Sequence, residues 1–171
     1  FSAFAAGNCG FDATMCGRYV LKRKDLESLM AQLVVKDPRE FVSRYNIAPS
    51  TVVPAIRVKP ETNAREAVGL QWGLVPFWSK DAASGARLAN ARAEGIAAKP
   101  SFREAFRKRR CLVPASGFYE WQTLGKQKYP WFFQLRDEAP LGLAGLWEQW
   151  RGADGVVLET CSLITTTPNE V

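Results

Sequence analysis

The sequence predicts an α+β protein in which strands dominate and only a few short helices occur. Several short apolar segments are separated by turns that contain Gly, Pro or charged residues, as in a series of strands. Only two segments have the spacing of apolar residues that is typical of a helix. The chain has 171 residues, of which 47% are hydrophobic, and this is enough for one substantial core but not for two. We therefore expect one domain.

Two helices are predicted. In residues 24–33 ("KDLESLMAQL") the apolar residues recur at i, i+3, i+4 and i+7, and Asp25 can cap or charge the start of the helix. In residues 100–110 ("PSFREAFRKRR") Phe102 and Phe106 lie on one side and the arginines on the other, which indicates a short basic helix.

The remaining elements are predicted to be strands and loops. Turn-forming Asn, Pro and Ser make residues 44–51 ("RYNIAPST") a loop, and residues 72–81 ("WGLVPFWSKD") a second, longer loop. Six segments are predicted to be strands: 52–58, 65–72, 111–121, 128–135, 141–150 and 155–167.

Composition excludes several classes of protein. The apolar runs end well before the ~20 residues that a membrane-spanning helix needs, so we expect no membrane association. Four cysteines stand far apart without a C-x-x-C pair, and there is no His. We therefore expect no metal site, no other cofactor and no disulfide framework. The net charge of +6 favours a polyanionic partner such as nucleic acid, although it is a weak indicator by itself. The cysteines are Cys9, Cys16, Cys111 and Cys161.

The dipeptide Met15-Cys16 suggests a specific reactivity. If translation begins at Met15, removal of that residue leaves Cys16 with a free α-amine beside its thiol. The amine can condense with an aldehyde to an imine, and the thiolate can then close a thiazolidine ring on the same carbon. Because amine and thiol are both mostly protonated at neutral pH, a nearby acid or base is required. Taken alone, the Met-Cys dipeptide is more often explained by a Cys16 that is simply a small buried side chain.

Five motifs change that interpretation. "MCGRYV", "RYNIAPS", "WGLVPFW", "NARAE" and "CLVPASGFYEW" occur in the order and approximate spacing of the SRAP family, the SOS-response-associated peptidases or abasic-site processing proteins, which this chain resembles from Met15 to its end. The resemblance implies a mostly antiparallel, barrel-like fold. It also implies a monomeric, cytoplasmic, nucleoid-associated protein of the DNA-damage response, whose partner is single-stranded DNA containing abasic sites.

The resemblance further implies a set of catalytic residues. Cys16 would trap the abasic aldehyde as a thiazolidine, with possible autoproteolytic peptidase or lyase-like chemistry at the same residue. Asn90 would hydrogen-bond the opened sugar or the Cys amine, and Glu120 would shuttle protons. The aromatic neighbours of Glu120 independently predict partial desolvation and a raised pKa. Without the resemblance, Glu120 could equally be an outward-facing strand residue and Asn90 a turn residue.

The DNA-binding residues follow from the same resemblance. Two arginines would hold phosphates, two residues belong to the "RYNIAP" loop, and two aromatic residues would stack on or wedge beside an unpaired base. These residues are Arg18, Arg92, Asn46, Pro49, Phe77 and Trp78. We expect Trp78 to be exposed and four other tryptophans to be in the core: Trp72, Trp121, Trp131 and Trp147. The basic run from Arg107 to Arg110 is either a solvated surface or part of the DNA-binding field.

The chain departs from the family pattern at both ends. Residues 1–14 are expected to be a leader or wrongly included upstream sequence, because an amide nitrogen at Cys16 cannot form an imine. We favour a wrongly assigned start over proteolytic removal. The domain at 15–171 is expected to be truncated, because a His-x-Arg-x-Pro motif should follow "SLITTTPNEV" and the chain has no His. An intact active site is therefore not expected in these residues alone.

Two other functions remain open from the sequence. The first is an N-terminal-nucleophile cysteine peptidase or amidohydrolase, in which the amine of Cys16 serves as the base for its own thiol. The second is a module that binds single-stranded DNA noncovalently through its basic surface and aromatic loop.

Overall fold

The computed structural model describes residues 17–35, 41–59 and 61–167. In these residues the chain forms short helices and many strands, in the order β1 (Arg18–Leu21), α1 (Arg23–Gln32), β2 (Arg44–Ile47), β3 (Val52–Val58), β4 (Arg65–Trp72), a 3₁₀ helix (Ala82–Leu88), β5 (Asn90–Arg92), α2 (Arg103–Lys108), β6 (Arg110–Ala115), β7 (Gly117–Leu124), β8 (Gln127–Phe133), β9 (Leu141–Arg151) and β10 (Val157–Thr165). Met15 and Cys16 lie outside the described residues.

Five strands close into a barrel. Neighbouring strands follow the order β4-β3-β6-β9-β10, and a parallel pairing of β10 with β4 completes the ring. Farther along β10, Leu163 to Thr165 pair in parallel with β5. The other barrel pairings are antiparallel. The prediction of a strand-dominated, mostly antiparallel, barrel-like fold is therefore confirmed.

The core has two parts. The larger lies between the barrel, α1 and β1, and includes the fully buried rings of Tyr19 and Trp72, which meet edge to face at 5.5 Å between centroids. The smaller joins α2 to β5 and to the chain after β4, through Phe102, Ala91 and Leu74. Because each buried large apolar side chain contributes about 1.5–3 kcal/mol, these clusters hold the helices against the barrel.

A second, open sheet has four strands in the order β2-β1-β7-β8, all antiparallel. Arg18 of β1 lies opposite Tyr119 of β7, and Tyr19 lies opposite Phe118. Strand β8 is an edge strand, and most of its side chains are exposed. The chain turns from β7 into β8 at Gly125, whose φ of +62° favours glycine.

Both predicted helices are confirmed as α1 and α2, and the strands at 52–58 and 65–72 are confirmed as β3 and β4. Asp25 lies buried in the first turn of α1, although Lys22 occupies the N-cap position. Within the described residues, no helix is both long and apolar enough to cross a membrane.

Three predictions are wrong. Residues 111–121 form two strands in different sheets, separated at Ser116, whose N–H donates to the Val20 carbonyl at 2.7 Å and whose Oγ accepts from Lys22 N at 2.8 Å. Residues 44–47 form strand β2 because they pair with β1, so only the second half of that predicted loop is a loop. Trp131 is not in the core: it lies on the edge strand β8 and is 51% exposed.

Candidate active site

Arg18 and Asn46 lie side by side on the open sheet. Pairing of β1 with β2 brings them together from 28 positions apart, and Arg18 Nη1 donates to Asn46 Oδ1 at 2.7 Å. Both side chains reach the surface. The hydrogen bond orients the guanidinium, which is a planar group of the kind that binds anions such as phosphate.

The loop after β2, which contains Pro49, is fixed to the end of β4. Ser50 N donates to the Trp72 carbonyl at 2.7 Å, and Trp72 N donates to the Thr51 carbonyl at 2.9 Å. Thr51 Oγ1 donates back to the Ala48 carbonyl at 2.8 Å and tightens the turn. Pro49 therefore lies beside the point where the chain leaves the barrel for its aromatic loop.

Residues 73–81, the aromatic loop, have a buried base and an exposed tip. At the base Gly73 N donates to the Cys161 carbonyl at 2.8 Å, and Val75 N donates to Thr160 Oγ1 at 3.0 Å. At the tip Phe77 and Trp78 are each 55% exposed. The expected exposure of Trp78 is confirmed.

Glycine is required at position 73. Its φ is +134°, and a Cβ there would lie 2.8 Å from the backbone oxygen of Gly85, so no larger residue fits without a backbone shift. This close approach packs the 3₁₀ helix against the start of the aromatic loop.

Asn90 and Arg92 lie on strand β5 and not in a turn. Because strand residues alternate, both project from the face opposite to Ala91, which is fully buried in the smaller core. The residue before Asn90 is held firmly: the Ala89 carbonyl accepts from Trp72 Nε1 at 2.8 Å and from Leu163 N at 2.9 Å.

Trp72 is thus the common support of the candidate site. Its backbone holds the Pro49 loop, its indole N–H holds the entry to β5, and its ring packs on Tyr19 of β1. The aromatic loop begins at the next residue. Sequence reasoning placed Trp72 in the core, which is correct, but could not show that four site segments meet on it.

Glu120 is partly buried on β7, directly opposite Trp131 of β8. Within the described part of the chain its carboxylate has no hydrogen-bond or ion-pair partner. Burial raises the pKa of Glu120, as the aromatic neighbours predict. The adjacent Tyr119 pairs with Arg18, so Glu120 lies near the end of β1 where the chain arrives from Gly17. A carboxyl with a raised pKa is suited to proton transfer near neutral pH.

Glu94, the last letter of the "NARAE" motif, lies beside the candidate site residues of β5, and sequence reasoning did not single it out. Its Oε1 accepts from Thr166 Oγ1 at 2.9 Å and from Thr167 N at 3.1 Å. The pKa of Glu94 is lowered by a hydrogen bond from its own backbone N–H, by these two donors and by the charge of Arg92. Glu94 thereby attaches the chain after β10 to the segment that carries Asn90 and Arg92.

The two described thiols are unsuited to nucleophilic chemistry. Cys111 and Cys161 are free and buried. Burial raises the pKa of Cys111 to about 12 and that of Cys161 well above its ordinary value, so neither forms thiolate at neutral pH. Residues 17–35, 41–59 and 61–167 contain no group of three or more His, Cys, Asp or Glu side chains that could hold a metal ion.

Comparison with known proteins gives a consistent result. A family model described as SOS response associated peptidase (SRAP) matches residues 15–171. The chain is 41% identical over 160 residues to the abasic site processing protein YoaM of Bacillus subtilis, covering 91% of this chain and 69% of that protein. It is 30% identical over 158 residues to the abasic site processing protein YedK of Escherichia coli, covering 86% of this chain and 68% of that protein.

Solved structures share the fold. A crystal structure of a protein from Bacteroides thetaiotaomicron matches with a TM-score of 0.79 and 29% identity, over 90% of this chain and 69% of that one. A protein from Bordetella bronchiseptica matches with a TM-score of 0.74 and 28% identity, over 91% of this chain and 74% of that one.

Proposed function

Because the chain belongs to the SOS response associated peptidase (SRAP) family, we propose that it is an abasic-site processing protein of the DNA-damage response. In this proposal it binds single-stranded DNA as a monomer and traps abasic sites covalently through Cys16. The observation that carries the proposal is the convergence on Trp72 of the Pro49 loop, the aromatic loop, the entry to β5 and strand β1. In the proposal, the segments that meet on this one support carry the side chains that would bind phosphate, stack on a base and donate an amide hydrogen bond.

The chemistry requires Cys16 to be the N-terminal residue. The ring-opened abasic sugar is an aldehyde, and the α-amine of Cys16 adds to its carbonyl carbon. Loss of water gives an imine, and the thiolate then adds to the imine carbon to close the thiazolidine ring, with the nitrogen regaining a proton. No oxidant or cofactor is consumed, since one water leaves for each link formed.

Glu120 serves this sequence as a proton shuttle. Burial raises the pKa of Glu120, which favours donation of a proton to the departing hydroxyl, and the resulting carboxylate can accept the thiol proton. Asn90 would hydrogen-bond the opened sugar or the amine through its amide. The possible hydrolase or lyase-like activity, including autoproteolytic release of upstream residues, belongs to this same proposal and uses the thiol of Cys16.

DNA would be held on both sides of the lesion. Arg18 and Arg92 would contact phosphates, and Phe77 and Trp78 would stack on or wedge beside an unpaired base. Asn46 keeps Arg18 oriented through their 2.7 Å hydrogen bond, and Pro49 lies in the loop that follows the strand of Asn46.

The test uses the gene product that contains residues 15–171, expressed from the codon for Met15, with its N-terminus verified by intact mass. We expect a heat-stable adduct with an abasic single-stranded oligonucleotide on a denaturing gel, and none with an undamaged one. Cys16→Ser should form an imine that borohydride reduction captures, but no heat-stable adduct, because the hydroxyl closes the ring poorly.

Three outcomes would contradict the proposal. Adducts of Cys16→Ser as stable as those of the parent would exclude ring closure by the thiol. Peptide turnover without an adduct would establish the N-terminal-nucleophile peptidase instead. Salt-sensitive binding that is indifferent to the lesion would establish a noncovalent DNA-binding module.

A further inference from the structure

We propose that Trp150 is a positioning residue for the aromatic loop, holding Phe77 and Trp78 in place for DNA through a hydrogen bond from its indole N–H. This inference rests on the proposed function, and it adds a residue outside every motif by which the chain resembles its family.

The contact spans two distant parts of the chain. Trp150 lies near the end of β9 and is 8% exposed. Its Nε1 donates to the Ser79 carbonyl at 2.7 Å, across 71 positions of sequence. Ser79 directly follows Trp78, so the hydrogen bond restrains the backbone immediately after the exposed ring.

The position of the indole is itself well defined. A Cβ at Gly152 would approach the ring of Trp150 to 3.0 Å, so the backbone just after β9 passes close to the ring and limits its movement. A ring that is packed in this way presents its N–H in one direction.

The opposite end of the loop is anchored separately. Gly73 and Val75 donate to Cys161 and Thr160 of β10, whereas Ser79 accepts from β9. The Ser79 hydroxyl also donates to the Asp81 carbonyl at the end of the loop and contacts Ser84 Oγ of the 3₁₀ helix, both at 2.9 Å. The aromatic loop is therefore tied to two adjacent barrel strands, while its tip rings stay in solvent.

This anchoring restrains rings that contribute little to the core. Phe77 and Trp78 are each 55% exposed, so fixing the backbone beside them brings little burial in the free protein. Restraint of the backbone beside the rings does increase affinity for DNA, because stacking on a base then costs less conformational entropy. The buried indole N–H of Trp150 needs an acceptor, and we attribute the choice of Ser79 as that acceptor to the positioning of the tip.

The test compares two tryptophan substitutions on the same strand. Trp150→Phe keeps most of the buried ring and removes the N–H. Trp147→Phe is the matched control: Trp147 is also buried, but its ring lies 4.0 Å from the guanidinium carbon of Arg57, and no hydrogen bond joins it to the aromatic loop.

We expect W150F to weaken binding of undamaged single-stranded DNA by about threefold to tenfold, the equivalent of one hydrogen bond. The rate of adduct formation at saturating abasic DNA should not change, because the residue does not touch the reacting atoms. W147F should change neither quantity. Amide hydrogen exchange of residues 77–80 in the free protein should accelerate in W150F and not in W147F.

A double-mutant cycle distinguishes positioning from a general structural effect. In a background lacking both tip rings (F77A with W78A), W150F should weaken DNA binding no further. An equal loss in that background, or unchanged exchange of residues 77–80 in W150F, would overturn the proposal. Failure of the parent to bind single-stranded DNA would contradict the proposed function, whereas the exchange measurement would still decide whether Trp150 restrains the loop.

Discussion

The closed barrel and the open four-stranded sheet differ in how many of their strands have a paired neighbour on both sides. Each of the five barrel strands pairs with at least two neighbours, and the barrel encloses much of the larger core. The open sheet has two edge strands, β2 and β8, and carries Arg18, Asn46 and Glu120 at or near its surface. We therefore expect truncations in the barrel to cost stability, whereas Glu120 of the open sheet is partly buried and its charged form is disfavoured there.

Truncation of a barrel side chain should have the largest effect. Leu70→Ala removes a fully buried residue of β4, and we expect it to lower the free energy of unfolding by about 2–5 kcal/mol. Leu124→Ala, at the exposed end of β7, is the matched control and should change it by less than about 0.5 kcal/mol. Urea unfolding followed by tryptophan fluorescence measures both. Equal losses would contradict the assignment of Leu70 to the core of the barrel.

Glu120→Gln should separate chemistry from stability. Removal of the proton shuttle should slow adduct formation at saturating DNA by at least about 100-fold, without lowering the free energy of unfolding at pH 7. Glu66→Gln, in the barrel, removes an ion-pair partner of Arg57 and should leave the adduct rate unchanged. Single-turnover gel assays give the rates. If E120Q forms the adduct as fast as the parent, Glu120 is an ordinary strand residue and not a proton shuttle.

Arg92→Ala should have a smaller effect and test whether the strand attached to the barrel also contacts DNA. Loss of one phosphate contact on a single strand should reduce the slope of log binding constant against log salt by about 0.7. Arg107→Ala on the exposed surface of α2 provides the comparison. No decrease for Arg92 would assign it a structural role, and a decrease for Arg107 would place the helix in the DNA-binding field.

The smallest predicted effect is the pH dependence of stability due to Glu120. Because burial raises the pKa of Glu120, folding favours the protonated carboxyl. The contribution of Glu120 to the free energy of unfolding is therefore present at low pH and is lost as pH rises through the folded-state pKa. E120Q should match the parent at about pH 4 and be the more stable protein at pH 7. A parent that gains stability over E120Q with rising pH would contradict this assignment.

The sequence predicts some elements of the fold and not others. Helix α1 and strands β3 and β4 have clear periodicity, so local patterns determine them. Strands β1, β2 and β5 have only three or four residues each, and they are strands because of distant partners. The corner at Ser116 and the exposure of Trp131 likewise depend on which sheet a segment joins.

The proposed chemistry comes from the sequence, whereas the contacts around the candidate site do not. The dipeptide Met15-Cys16 indicates aldehyde chemistry at a free N-terminus, and the resemblance implies roles for Asn90 and Glu120. The hydrogen bond of Arg18 with Asn46 and that of Trp150 with Ser79 join residues 28 and 71 positions apart. No local pattern encodes such contacts, because they require the tertiary pairing of strands.

Strand β10 also sets an order of events during synthesis. Barrel closure pairs Trp72 with Cys161, and β5 gains its strand partner only at Leu163 to Thr165. At about 5–20 residues per second, the ribosome needs roughly 5 to 20 s after making Trp72 to deliver those partners. During that interval the strand edges of β4 and β5 have no β10 to cover them. The barrel therefore closes only when its last described strand has been made, and the segment that carries Asn90 and Arg92 gains its strand partner among the last.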